Sequence, residues 1–248
     1  MVLGSKDVRC NLEAYEKDGC KRCTALCPHR IALHGLNNVG GRILQAGIPT
    51  AYRDVTLHNS PAREGQPEIY RALDVYVQTF KRWLRGGERV KSLYLWSGRA
   101  GTGKTTTATA LLNEWIVAEY LVALQDGKQP PSVSGYFLDI NELQTKYNNA
   151  TMTRNEDKLT DVGLTIDRAQ RAKFLVIDDI GVRGATEAFR AYVHSVVNYR
   201  TANELPTIYT SNLPIEDMAQ VFDERLYDRI RDQCHAMEFV GGSRRGKR

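Results

Sequence analysis

Apolar residues along this chain fall into short continuous runs separated by stretches with helical spacing. Short apolar runs bounded by turn-forming residues predict buried strands. The predicted strands are residues 92–96, 136–140, 174–177, 206–210 and 236–240. The run at 174–177 is wholly apolar, as expected of a parallel strand that is covered on both faces of a sheet.

Between these runs, apolar residues recur at intervals of three or four positions, which predicts amphipathic helices. The predicted helices are residues 69–84, 104 to about 120, 142–148, 186 to about 200, 214–222 and 224–231. Asn141 and Thr186 are the predicted caps of two of them, and residues 151–161 are predicted to be polar and irregular. Strands that alternate with helices predict a three-layer α/β/α sandwich around a parallel sheet.

A phosphate-binding loop is predicted at residues 98–105, which match the pattern G-x-x-x-x-G-K-T between a strand and a helix. Glycines let backbone N–H groups surround a β-phosphate, Lys104 neutralises phosphate charge, and the Thr105 hydroxyl is a ligand for Mg²⁺. The predicted nucleotide contacts are Gly98, Arg99, Ala100, Gly101, Thr102, Gly103, Lys104, Thr105 and Thr106.

Polar residues follow two of the predicted strands, at the edge where α/β sheets bind ligands. Asp178 is predicted to hold Mg²⁺, and Asp179 to orient the attacking water; a solvated or helix-capping acidic pair is the alternative. Asp179 is one methylene shorter than glutamate, which predicts slow ATP hydrolysis. Asn212 is predicted to reach the γ-phosphate, with a turn-forming role before Pro214 as its alternative.

Two arginines near the end of the chain, Arg225 and Arg229, are four residues apart and share one helix face. One of them is a candidate to stabilise the γ-phosphate of a neighbouring subunit. Ion pairs with Asp223, Asp228 or Asp232 are the alternative. The tail at residues 241–248 holds four basic residues and no acidic one, and one of its arginines is a candidate to contact the nucleotide.

Four of the five cysteines lie within the first 27 residues. Cys10, Cys20, Cys23 and Cys27 are predicted to bind Zn²⁺, because clustered thiols in a reducing compartment more often bind metal than pair as disulfides. An iron–sulfur cluster, unmetallated thiols, and a Cys₃His site with His29 or His34 remain open. The predicted domains are a zinc-binding segment with a linker at 1–46 and an ATPase domain at 47–248. The stretch 35–47, which shows little periodicity, is the predicted linker between them.

The net charge of +5 permits a polyanionic partner without requiring one. A run of eighteen apolar residues and the apolar core of a signal peptide are both missing from the sequence. A cytoplasmic protein without a membrane partner is therefore expected.

Taken in order, the phosphate loop, the strand ending at Asp178-Asp179 and the segment Thr210-Ser211-Asn212 resemble the DnaC/DnaI/IstB group of AAA+ ATPases. The resemblance covers residues 47–248 and includes 224–229 and 243–245. It implies an AAA+ fold with a reduced C-terminal lid, use of ATP and Mg²⁺, and head-to-tail assembly with nucleotide between subunits.

The resemblance also implies roles for single residues. Asn212 corresponds to sensor 1, Arg229 to the arginine finger with Arg225 as its alternative, and Arg245 to sensor 2 with Arg244 as its alternative. Members of the group bind single-stranded DNA near the helix after the second strand. The residues that this places on DNA are Lys146, Tyr147, Arg154 and Lys158, where basic side chains would follow phosphates and an aromatic ring would stack on a base.

The predicted function is therefore ATP-dependent loading of a DnaB-type replicative helicase onto single-stranded DNA, with the cysteine-rich segment docking on the helicase. Two alternatives remain open from the sequence. One is an IstB-type transposition ATPase that acts on duplex DNA, and the other is an ATP-gated adaptor with negligible hydrolysis.

Overall fold

The computed structural model describes residues 26–181, 185–221 and 224–243, without the side chains of residues 220 and 221. The first described elements are helix α1 (Pro28–His34), a two-stranded hairpin of β1 (Gly35–Leu36) and β2 (Val39–Gly40), and helix α2 (Arg42–Gln45). Asn37 and Asn38 form the hairpin turn with φ values of 54° and 62°, a backbone region that asparagine tolerates better than most residues.

These first elements are part of the main hydrophobic core. Leu33 and Ile43 are fully buried in the same cluster as the long helices of the ATPase region. The expectation of a linker at residues 35–47 is therefore wrong, because Ile43 and Ala46 of this stretch are buried in that core, although Leu36 and Val39 in the hairpin are exposed. The boundary of a separate cysteine-rich domain stays a prediction, since residues 1–25 lie outside the described residues.

Five parallel strands form the central sheet of the described chain. They are β3 (Ser92–Trp96), β4 (Gly135–Asp139), β5 (Phe174–Asp178), β6 (Thr207–Ser211) and β7 (Cys234–Glu238), in the spatial order β4-β5-β6-β3-β7. Along this order each strand is hydrogen-bonded in parallel to its neighbour. All five predicted strands are confirmed, with shifts of one or two residues at most of their ends.

Helices cover both faces of this sheet. The helices are α3 (Pro67–Leu84), α4 (Lys104–Gln125), α5 (Ile140–Met152), α6 (Glu156–Arg171), α7 (Glu187–Ala202), α8 (Met218–Val221) and α9 (Glu224–Gln233). Alternate strand residues point to opposite faces, so Leu93 and Leu95 pack with α3 and α4, while Tyr94 packs in a second cluster with residues of α5, α6, α7, α8 and α9. The expected three-layer α/β/α arrangement is confirmed.

Helix α6 is the largest difference from the sequence prediction. Asn155 caps it by accepting a hydrogen bond from the Lys158 N–H at 2.9 Å. Val162, Ile166 and Ala169 bury one face of the helix. Asp139, rather than the expected Asn141, caps α5 by accepting from the Glu142 N–H at 2.9 Å.

The backbone before Gly47 covers the outer edge of β4. The carbonyl of Ala46 accepts a hydrogen bond from the Phe137 N–H at 2.8 Å. Arg168 donates to the neighbouring Gln45 carbonyl, and its guanidinium lies 4.3 Å from the centroid of the Tyr136 ring. An edge that would otherwise present unpaired backbone groups is thereby partly paired.

Arg200 on α7 is buried, at 1% exposure, beneath the start of β6. Its guanidinium donates to the Thr207 hydroxyl at 2.7 Å and to four backbone carbonyls. Those carbonyls belong to Ala169, Gln170, Ala172 and Pro206. Burial lowers the pKa of Arg200 to about 10, so the group remains charged at neutral pH. The arginine joins the ends of α6 and α7 to the sheet.

Within the described ranges, the helices are all too short or too polar to cross a lipid bilayer.

Candidate functional site

The phosphate loop leaves β3 and enters α4 at Lys104, in the strand–loop–helix order that was predicted. Gly101 and Gly103 have φ values of 80° and 103°, in the left-handed region that favours glycine. The Lys104 ammonium is buried and donates to the Asn212 Oδ1 at 2.9 Å and to the Arg99 carbonyl at 3.3 Å. The fold thus brings Lys104 and Asn212, which are 108 residues apart, into direct contact.

Asp178 ends β5 beside the phosphate loop, and two hydroxyls hold its carboxylate. The Thr210 hydroxyl donates to Oδ1 at 2.6 Å, and the Thr105 hydroxyl donates to Oδ2 at 3.2 Å. The pKa of Asp178 is raised to about 6: burial is the largest cause and the nearby Asp179 charge adds to it, while the two hydroxyl hydrogen bonds act in the opposite direction. A cation at this carboxylate would favour its charged form.

Asp179 takes a left-handed backbone conformation, with φ of 56°. Its N–H donates to the Thr210 hydroxyl at 2.9 Å, and the Asn141 amide approaches its Oδ2 at 3.4 Å. Thr210 therefore accepts from one residue of the acidic pair and donates to the other. Sequence analysis did not single out Thr210, because a threonine inside a strand is more often a simple strand former.

Residues 52–66, which we call the cleft loop, form the wall that faces the phosphate loop. The cleft between them has a volume of about 1140 Å³. Its lining from the cleft loop comprises Tyr52, His58, Asn59, Ser60, Pro61, Ala62, Arg63 and Glu64. From elsewhere come residues 100–106, Asp179 and Asn212. The cleft-loop residues were not predicted as site residues, although the turn-forming residues at 59–61 signal a loop before α3.

Two buried side chains of α4 hold the cleft loop in place. The Asn113 amide donates to the carbonyls of Tyr52 and Val55, at 2.9 and 2.8 Å. Glu114 accepts from the Leu57 N–H at 3.2 Å. Since α4 begins at the phosphate loop, one helix fixes both walls of the cleft.

The residues of this cleft fit a magnesium-bound nucleoside triphosphate. Gly101 and Gly103 take backbone conformations that L side chains rarely adopt, and such turns let successive N–H groups point toward a phosphate. The first backbone N–H groups of α4 lack partners within the helix and are suited to an anion. Thr105 and Asp178 bring together a hydroxyl and a carboxylate, oxygen ligands of the kind that Mg²⁺ prefers.

A family model describes this combination of motifs. The model of the IstB-like ATP binding protein matches residues 88–248, more than half of the chain. The chain belongs to the IstB-like ATP-binding family. This confirms the predicted membership of the IstB/DnaC group and an ATP-binding P-loop protein.

Named relatives of this IstB-like protein agree with that assignment. The replicative helicase loader DnaC of Escherichia coli K12 is 24% identical over 188 residues, which are 75% of this chain and 67% of DnaC. A crystal structure of DnaI superposes with a TM-score of 0.57 at 23% identity, covering 80% of this chain and 94% of DnaI. A crystal structure of the DnaC helicase loader superposes with a TM-score of 0.55 at 20% identity, covering 77% of this chain and 100% of that chain. These structural likenesses show the AAA+-type fold.

The arginine candidates of the IstB-like chain lie away from its own cleft. Arg229 is exposed on α9 and donates to Asn198 of α7. Arg225 is also exposed. Neither lines the cleft, so a role at γ-phosphate requires a second subunit. Arg244 and Arg245 lie outside the described residues.

The four predicted DNA residues lie on or next to α5 and α6. Arg154 and Lys158 are exposed, and Lys146 is exposed but paired with Glu142 at 2.6 Å. Tyr147 is half-buried, with its ring 5.7 Å from Phe189 and near Tyr192. Its ring is thus already engaged in packing, whereas the three basic residues lie at the surface.

The predicted zinc ligands fall almost entirely outside the described residues, which include only Cys27. Cys27 is a free thiol there. Within the described ranges, no group of three or more His, Cys, Asp or Glu side chains is placed to hold a metal ion. Burial raises the pKa of the Cys234 thiol well above its usual range.

Gly103→Ala is expected to weaken ATP binding about tenfold or more, because a left-handed φ costs an L residue about 1–2 kcal/mol. The added Cβ would also lie 2.4 Å from the Ala62 Cβ. Titration with a fluorescent ATP analogue measures the effect. Gly163→Ala, where a new Cβ meets nothing within 4 Å, is the matched control. Unchanged affinity of the Gly103 variant would show that the loop does not bind phosphate.

Proposed function

We propose that this protein is an ATP-dependent loader of a DnaB-type replicative helicase, which it places on single-stranded DNA. The observation that carries the proposal is the assembled site: Lys104 on Asn212, and Thr105 on Asp178, in a fold shared with DnaI and DnaC. The relative from Escherichia coli is named a replicative helicase loader.

In this proposal the residues of the cleft bind and hydrolyse ATP. Lys104 and the N-terminus of α4 hold the phosphates, and Thr105 and Asp178 are the residues that would hold Mg²⁺. The bound cation would neutralise charge on the transferred phosphoryl group. Asp179 orients the water that attacks the γ-phosphorus, the bond to the ADP oxygen breaks, and Asn212 contacts the γ-phosphate.

Hydrolysis is expected to be slow, since the Asp179 side chain is short and its backbone is fixed by Thr210. A loader needs only a difference in partner affinity between its ATP and ADP states. Slow turnover then sets how long the loaded state lasts.

Assembly between subunits would complete the site. The exposure of Arg229 on α9, away from its own cleft, supports a role at the nucleotide of a neighbouring subunit. Such a finger stabilises the charge that develops on the transferred phosphoryl group. Arg245 is proposed to contact the nucleotide of its own subunit, which the contact of Ser243 with Gly101 supports.

Single-stranded DNA is proposed to follow the surface of α5 and α6. Lys146, Arg154 and Lys158 are exposed there and would contact phosphates. Tyr147 would stack on a base only if its ring left Tyr192 or Phe189.

Cys10, Cys20, Cys23 and Cys27 are proposed to bind Zn²⁺ and to dock on the helicase. The Cys-x2-Cys pair and its two flanking thiols support this. A metal would supply folding energy to a segment too short for its own core.

Co-elution with the replicative helicase of the source organism tests the loader function. Full-length protein is expected to form a complex with the helicase whose amount depends on ATP and Mg²⁺. In the Lys104→Ala variant, the amount of complex is expected to be the same with and without ATP. A Cys20→Ser/Cys23→Ser variant is expected to lose both zinc and helicase binding while still binding ATP.

One other result would favour a different function. If the protein does not bind the helicase but binds along duplex DNA in the presence of ATP, the IstB-type transposition function is favoured over the loader function. The name of the matching family is compatible with that function. A complex that forms with ATP but never hydrolyses it would indicate the ATP-gated adaptor.

A further inference from the structure

Two segments that are distant from the phosphate loop in the chain pack directly against it. A Cβ built on Gly103 would lie 2.4 Å from the Ala62 Cβ of the cleft loop. A Cβ built on Gly101 would lie 2.3 Å from the Ser243 Oγ. Ser243 belongs to residues 239–243, which we call the C-terminal strap. The phosphate loop therefore lies in contact with both segments and has no space for side chains toward either.

Gln66 joins these two segments to each other. Its Nε2 donates to the Val240 carbonyl at 2.6 Å, and its Oε1 accepts from the Val240 N–H at 3.4 Å. The amide thus pairs with both backbone groups of one strap residue, as a neighbouring strand would. Phe239, just before, continues the sheet by donating its N–H to the Trp96 carbonyl at 2.7 Å.

The position of Gln66 argues that this contact is its main role. It occupies the N-cap position of α3, where a side chain usually accepts a hydrogen bond from the helix. Gln66 makes no such bond. It is only 4% exposed, and a buried amide needs partners. Those partners come from a segment 174 residues away.

A buried chain of hydroxyl groups joins the middle of the cleft loop, at Ser60, to the helix that follows the phosphate loop. The Tyr70 hydroxyl lies 2.5 Å from the Ser60 Oγ and 2.8 Å from the Thr107 Oγ1. Thr107 in turn donates its N–H to the Gly103 carbonyl at 2.9 Å. Each of the three segments therefore contacts the other two. Gln66 joins the cleft loop to the strap, and Ser243 of the strap lies beside Gly101 of the phosphate loop.

We propose that Gln66 is a positioning residue that couples occupation of the nucleotide cleft to the placement of the C-terminal strap. This inference rests on the ATP site of the proposed function. A nucleotide that orders the cleft loop also orders the strap through Gln66, and an ordered strap in turn favours the nucleotide-bound cleft. The strap leads into Arg244 and Arg245, so the same contact sets where the basic tail begins.

Hydrogen–deuterium exchange of full-length protein, with and without ATP and Mg²⁺, tests the coupling. In the wild type, ATP is expected to slow amide exchange in the strap. Gln66→Met keeps the length of the side chain but removes both hydrogen bonds. Exchange in the strap is then expected to be about tenfold faster and ATP affinity about fivefold weaker, the size of effect that one or two lost hydrogen bonds produce.

Gln78→Met is the matched control, because Gln78 is exposed on the same helix. It is expected to leave both exchange and affinity unchanged. Val240→Pro removes the N–H from the other side of the pair at a side chain that is 60% exposed, and it is expected to change both in the same direction as Gln66→Met. This second variant tests the contact even if Gln66→Met does not fold.

Strap exchange that is equal in the wild type and both variants, with ATP still bound tightly, would overturn the inference and leave the proposed function intact. A wild-type protein that binds no ATP would instead overturn the proposed function, and the coupling with it.

Discussion

Asp178→Asn is expected to slow ATP hydrolysis strongly and, at the same time, to stabilise the nucleotide-free protein at neutral pH. The loss of a charged group at a proposed magnesium site should lower turnover about 100- to 1000-fold, the range found when one transition-state contact is removed. The Asn side chain can keep both hydroxyl contacts. Thr210 can still donate to Oδ1, and the Thr105 hydroxyl can turn to accept from the new amide.

The stability change follows from the raised pKa of Asp178. Burial raises this pKa from 3.8 to about 6, so the folded state binds a proton more tightly than the unfolded state between these values. Stability therefore falls as pH rises through this window, and the full cost is present above pH 6. At 1.36 kcal/mol for each pKa unit, the cost is about 3 kcal/mol.

Urea denaturation from pH 4 to pH 8 measures this effect. The Asp178→Asn variant should match the wild type near pH 4 and become more stable by about 3 kcal/mol above pH 6. Asp161→Asn, the same change at an exposed residue of α6, should change stability by less than about 0.5 kcal/mol. A stability difference that stays constant with pH would mean that Asp178 is not held in a costly charged form.

Arg200→Met is expected to destabilise the fold by about 3–5 kcal/mol, as when one partner of a buried charged network is removed. Methionine fills a similar volume but donates no hydrogen bond. The carbonyls of Ala169, Gln170, Ala172 and Pro206 would lose their shared donor. Since neither Arg200 nor its hydrogen-bond partners line the cleft, ATP affinity of the folded variant should be unchanged.

Chemical denaturation at pH 7 gives the free energy of unfolding for this comparison. Arg171→Met is the control, because the Arg171 side chain is 70% exposed and pairs with Asp167 within its own helix. Exposed pairs of this kind contribute less than about 1 kcal/mol. Similar losses for the two variants would show that the buried contacts of Arg200 add nothing beyond those of a surface arginine.

The sheet could be predicted from sequence because each strand carries its own signal. A wholly apolar run such as 174–177 has few alternatives in a chain of this kind, and the phosphate loop is defined by local spacing. Helix α6 gave no such signal, since its first turn is highly charged and its apolar residues become frequent only after Val162. The packing of residues 28–46 depends on a few residues, among them Leu33 and Ile43, that show no period.

The site residues also fall into two groups, those that local sequence predicts and those that only the fold reveals. Lys104, Thr105 and Asp178 were predicted because their chemistry follows from neighbours in the chain. Thr210 and Gln66 act on residues 32 and 174 positions away, and only the fold shows those contacts. The cleft loop was missed for the same reason, since its residues become a wall of the site only when Asn113 and Glu114 hold them opposite the phosphate loop.

The pairing of Ala46 with Phe137 has a consequence for how copies of this chain can meet. A parallel sheet grows most easily at an open edge, and such growth leads to aggregates without a defined size. On the β4 side, the chain's own backbone already occupies the Phe137 N–H. A chain shortened to begin at Gly47 would lose this hydrogen bond and leave the edge of β4 open to pairing with another copy. Residues 28–46 are therefore expected to limit aggregation as well as to pack in the core.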